Sequence, residues 1–93
     1  MAKETMKAIF KVTPEGKECI AFLPEVLSNP GNIFSYMHTG QGGEASEEFF
    51  YQCSPASWDE SHELETEISD VYDVEVIRIK RLPRWWSWFD KFE

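Results

Sequence analysis

Before Ser57 the apolar residues of this chain alternate or form short runs bounded by turn residues, and from Ser57 to about Ser69 they recur at helical spacing. That change of period restricts the chain, up to that point, to strands followed by a helix. From Lys7 to Thr13 the alternation puts Ala8, Phe10 and Val12 on one face and Lys7, Ile9 and Lys11 on the other, as in a half-buried strand. Pro14-Glu15-Gly16-Lys17 is turn chemistry, and Cys19 to Leu23 is an apolar run able to return antiparallel, so the opening reads as a β-hairpin ended by Pro24. Ser28-Asn29-Pro30-Gly31-Asn32 marks another turn and Ile33 to Met37 a third strand. Gly40, Gly42 and Gly43 mark a flexible loop, and Glu48 to Cys53 reads as a fourth strand.

The sharpest local signal is Ser57 followed by Glu60. This spacing lets the serine oxygen accept from the Glu60 N–H while the glutamate reaches back to the Ser57 N–H. It predicts a helix running to about Ser69, with Trp58, Ser61, Leu64 and Ile68 inward and most carboxylates in water. Val74 to Leu82 then reads as a last strand, with Ile77 and Ile79 on one face and Val76, Arg78 and Lys80 on the other, stopped by Pro83. The order predicts an α+β fold: a mostly antiparallel sheet of four or five strands, one main helix packed on one face, and a short C-terminal aromatic helix. With the first and last strands as neighbours, Lys7, Lys11, Arg78 and Lys80 would share the opposite, open face. A single domain is expected over residues 1–93, with a core at about 7–82 and an aromatic tail at 83–93.

Several segments carry a resemblance: Phe22-Leu23-Pro24-Glu25, Ser35-Tyr36-Met37-His38-Thr39-Gly40-Gln41, Pro55-Ala56 before a helix containing Leu64-Glu65, then Tyr72 and the Val76 to Arg81 strand. Together they resemble a small family of bacterial and phage-type proteins of unknown function, over about Lys7 to Arg81. The family pattern has a second histidine after the glutamine, where this chain has Gly42, so the resemblance implies no two-histidine chemistry and supplies no activity.

Charge is segregated along the chain. Between Glu18 and Ile77 lie no Lys or Arg, and thirteen of the seventeen acidic residues fall in Glu18 to Glu75; all nine basic residues lie outside, for a net charge of −8. Such a field argues against nonspecific binding of nucleic acid by the whole molecule. No run approaches the ~18 apolar residues of a membrane-spanning helix, and Met-Ala-Lys-Glu-Thr lacks the basic-then-apolar order of a signal peptide. A cytoplasmic location is expected, with Cys19 and Cys53 as reduced thiols.

His38, near Tyr36 and Gln41, has the chemistry of a general base or metal ligand. His62 is its one fellow histidine, and no H-x-x-x-H or C-x-x-C spacing completes a ligand set, so the expectation is no metal and no cofactor. Thr39 to Gly43 lacks a phosphate-binding lysine and reads as a turn. Asp59, Glu63, Glu67 and Asp70 fall along one side of the helix, as a solvated face or as a docking stripe for a basic surface. In the tail, Trp85, Trp88 or Phe89, and Phe92 fall at helical spacing while Trp86 falls off the stripe. That aromatic stripe suits the domain's own core, a dimer contact or a partner's groove. The residues together point to a non-catalytic protein-interaction domain with a protein partner or self-association. An acidic inhibitor or regulator imitating nucleic acid is the main rival, and a small hydrolase or metal enzyme using His38 is third.

Overall fold

A computed structural model describes residues 4–15, 18–26, 28–29, 31–37 and 41–83. The elements in chain order are β1 (Glu4–Val12), β2 (Cys19–Leu23), β3 (Asn32–Met37), β4 (Gln41–Ser46), α1 (Glu47–Gln52), β5 (Ser54–Pro55), α2 (Trp58–Tyr72) and β6 (Val74–Arg78). The fold is α+β, with one mostly antiparallel sheet and one main helix. The predicted C-terminal aromatic helix lies outside the described residues.

Four strands form an antiparallel meander in the order β4-β3-β2-β1, with Ile9 opposite Phe22, Ala21 opposite Tyr36 and Ser35 opposite Gly43. Beyond it, β1 takes two further partners: β5 antiparallel at Lys11 and Val12, and β6 parallel from Glu4 to Ala8. The carbonyls of Ala8 and Phe10 receive the N–H groups of Ile79 (2.9 Å) and Ala56 (3.1 Å). Being two residues apart on one strand, those carbonyls point to the same edge, so β6 and β5 follow each other along the edge of β1 opposite β2. Continuing the β1–β2 register brings Pro24 opposite Lys7. Proline has no N–H to donate, and the pairing stops there; the Lys7 N–H donates instead to the Glu25 carboxylate at 2.9 Å.

Both faces of the sheet are covered. On one, Ala8, Phe10, Ala21, Leu23 and Tyr36 pack with Leu64 and Ile68 of α2. On the other, Ile9, Ile20, Phe22 and Ile33 pack with Phe50 of α1 and Cys53, with Ile79 and Leu82 against them. A strand buried on both faces carries no alternation, which is why Cys19–Leu23 reads as a continuous apolar run. The predicted open basic face is therefore absent. Arg78 lies on the α2 side, 4.6 Å from the Phe10 ring centroid, whereas Lys11 lies 3.8 Å from the Phe50 ring centroid on the other. Even and odd positions of paired strands project to opposite faces, so these cations cannot share one.

Four local expectations are corrected. The Glu48 to Cys53 segment is helical from Glu47 to Gln52: Ser46 caps it by accepting from the Phe49 N–H at 3.0 Å, and Glu47 and Glu48 occupy its positive end. Phe50 and Cys53, three apart, face the core together, a pattern that a short aromatic run conceals. The glycine segment is not a loop at positions 42 and 43 but the edge strand β4. A Cβ on Gly42 would come within 2.9 Å of Phe34 Cζ, so the Phe34 ring lies across the backbone of a residue with no side chain of its own. Trp58 is 63% exposed rather than buried, since at 3.6 residues per turn it lies about a quarter turn from the centre of the inward Ser61, Leu64 and Ile68 set, and it stacks on His62 instead. Finally, α2 continues to Tyr72 and β6 ends at Arg78. Asp73, with φ of 53°, makes the left-handed turn between them and donates its N–H to the Ser69 carbonyl.

Candidate functional site

The helix α2 carries most of the chemistry that can be placed. Its start is set by the reciprocal cap anticipated above: Glu60 N–H to Ser57 Oγ at 3.2 Å and Ser57 N–H to Glu60 Oε1 at 2.9 Å. Ser61, Leu64 and Ile68 turn fully inward, and this fixes the rotation of the helix and hence of every other side chain on it. Asp59, Glu63 and Asp70 project directly away from the sheet and are exposed. Glu67 belongs to the same acidic series by spacing but sits on the flank facing β3, half-buried, where its carboxylate accepts from the Tyr36 hydroxyl at 2.6 Å. Tyr36 itself is buried, edge-on to Tyr72 with 5.9 Å between centroids.

The other flank of α2 faces β6. Arg78 forms an ion pair with Glu65 and donates to the buried Ser61 hydroxyl at 2.8 Å, while Ser61 donates back to the Ser57 carbonyl at 2.8 Å. The guanidinium thus ties β6 to the capped start of α2. Cys19 lies half-buried nearby; burial pushes its thiol up to about 11, the Glu60 carboxylate adds to the rise and Arg78 opposes it. Farther out, Trp58 stacks on His62 with 4.6 Å between centroids and planes 10° apart. His62 Nδ1 lies 3.1 Å from the Asp59 carbonyl.

On the opposite face of the sheet Lys11 serves the end of α1. Its Nζ donates to the Phe50 carbonyl at 3.0 Å above the Phe50 ring, and burial lowers its affinity for a proton. A cation suits the negative end of a helix. Burial likewise raises the Cys53 thiol, against the opposing pull of Lys11. Neither cysteine forms a disulfide.

The sequence candidates are thus separated. Tyr36 and Glu67 come together, a link between β3 and α2 that spacing along the chain gives no hint of. Asp59, Glu63 and Asp70 form an outward row. His38, the side chain of Gln41, and Trp85, Trp86, Trp88, Phe89 and Phe92 lie outside the described residues. Sequence reasoning missed the exposed apolar groups that accompany the acidic row, Trp58 and, at 57% exposure, Val71. Among the described residues no three His, Cys, Asp or Glu side chains are grouped to hold a metal, and no helix is long and apolar enough to cross a membrane. No family model, no curated protein and no solved structure matches the chain.

Proposed function

We propose that this chain is a non-catalytic protein-interaction domain whose contact surface includes the outer side of α2. The observation that carries this reading is the pairing, on one helix, of an outward acidic row at Asp59, Glu63 and Asp70 with large exposed apolar groups at Trp58 and Val71. Exposed carboxylates alone serve solubility. Exposed tryptophan beside them adds a desolvation gain that a partner can use, and tryptophan is among the side chains that anchor interfaces most often. A partner suited to this surface has basic groups around an apolar recess, and its encounter is steered by charge and weakened by salt.

The same acidic row supports a second reading, an inhibitor or regulator that imitates nucleic acid and occupies a basic site. The two are separated by capture of partners from host lysate on wild-type protein, on Trp58→Ser, and on the triple variant Asp59→Asn, Glu63→Gln, Asp70→Asn. A docking surface predicts a defined partner lost with either variant. Nucleic-acid imitation predicts partners lost with the triple variant alone and displaced by added DNA. Partners indifferent to both variants would remove α2 from the contact surface.

A further inference from the structure

Among the described residues the sheet has an unguarded edge. In the strand order β4 is terminal, and among the described residues it pairs only with β3. The Glu47 N–H donates to the Gly31 carbonyl at 3.1 Å, so in the same register Ala45, Gly43 and Gln41 direct their backbone groups to β3. Gly42, Glu44 and Ser46 direct theirs outward. Edge strands are normally blunted by lysine, proline, a bulge or an inward charge. On the far side of the sheet β6 carries Glu75 and Arg78 and runs on into Lys80, Arg81 and Pro83. By contrast β4 has no lysine, arginine or proline, and its pairing with β3 runs unbroken from Gln41 to Ser46. Its one charge, Glu44, is folded back onto its own domain, accepting from the Asn29 N–H at 3.2 Å and the Asn32 side chain at 2.9 Å, and the Asn32 bond holds its carboxyl below the ordinary range.

From this edge we infer that β4 pairs antiparallel with β4 of a second copy of the chain, on a two-fold axis at Gly43. The register follows from which groups point outward. Outward residues must face outward residues, so Glu44 lies opposite Glu44, Gly42 or Ser46 of the other copy. The Ser46 register is set aside because it centres the axis on Ala45 and runs Gly43 against Glu47, where the strand has ended and α1 begins. The first sets like charges against each other on the axis, which destabilises a pair. The second sets each glutamate opposite a glycine and brings the two Gly43 residues together as a close, non-hydrogen-bonded pair. The strand is therefore complementary to itself in one register, as a two-fold contact requires. Gly43 also suits a test at the axis: among the described residues a Cβ there meets nothing within 4 Å, so a side chain placed on it is accommodated within one copy. This inference rests on the reading of the chain as an interaction domain and names one partner, a second copy, on a surface separate from α2.

The test uses the full chain. Sedimentation should show a dimer, and Gly43→Cys should give a disulfide-linked dimer on mild oxidation, because about 4.5 Å between Cα atoms is within disulfide reach. Ala45→Cys, offset from its own copy across the axis, should give none. Gly43→Lys should weaken the dimer about fivefold or more with an unchanged circular dichroism spectrum, and mixing it with Gly43→Glu should restore association. Gly43→Ser controls for loss of the glycine itself. A chain that stays monomeric at high concentration, or a dimer indifferent to Gly43→Lys and not linked through Gly43→Cys, overturns the inference. A monomer that still captures its partner through α2 leaves the proposed function intact, which keeps the two failures distinct.

Discussion

The Tyr36 hydroxyl on β3 donates to the Glu67 carboxylate on α2 at 2.6 Å, joining two residues thirty-one positions apart across the interface between helix and sheet. Tyr36 is 3% exposed, so its ring packs as core while its oxygen serves a carboxylate, a division of labour open to tyrosine and not to phenylalanine.

Tyr36→Phe should therefore keep the fold and the ring packing but lower stability by about 1.5 to 3 kcal/mol, the usual contribution of a hydrogen bond to a charged acceptor. Urea unfolding of the two proteins measures it. An unchanged midpoint would mean that water replaces the hydroxyl without loss.

Ser57→Ala should lower stability by about 0.5 to 2 kcal/mol through loss of the cap to the Glu60 N–H. The far-UV spectrum should stay close to wild type, because Leu64 and Ile68 still anchor α2 in the core. Amide exchange at Glu60 should accelerate more than exchange in the middle of the helix, since fraying begins where the cap is lost.

Cys19 should react slowly with iodoacetamide at neutral pH, its rate rising with a midpoint near 11 instead of the ordinary 9.0. Only the thiolate is the nucleophile, and mass spectrometry follows this site separately from Cys53. Because the folded thiol keeps its proton to higher pH than the unfolded one, its contribution to stability is complete below about pH 9 and is lost as pH rises through 11. Arg78→Ala, by removing the opposing cation, should move the midpoint upward. A midpoint at the ordinary value would show that the thiol is solvated.

The sequence by itself determined those features whose cause lies within a few residues. The α2 cap is readable because donor and acceptor are three positions apart. The β1–β2 hairpin is readable because an alternating strand meets turn residues at once, and β2 ends where proline removes the donor that β1 would need. Helical spacing alone gives Ser61, Leu64 and Ile68 as inward, although the same reading adds Trp58, which is exposed.

Only the tertiary structure decided the rest, because each remaining feature depends on what another segment supplies. Gly42 and Gly43 have little strand preference of their own and become β4 because β3 offers a row of unpaired backbone groups and Phe34 covers the bare glycine. Phe49-Phe50-Tyr51 carries no period of its own, and it is helical because Phe50 and Cys53 are needed together on one face of the sheet. Arg78 and Lys11 end on opposite faces because β6 joins β1 in parallel, with Arg78 in register with Ala8, a partner chosen by long-range burial. Glu67 leaves its acidic row for the same kind of reason: the rotation of α2, fixed by its core residues, points that one carboxylate at Tyr36 while Asp59, Glu63 and Asp70 stay in water.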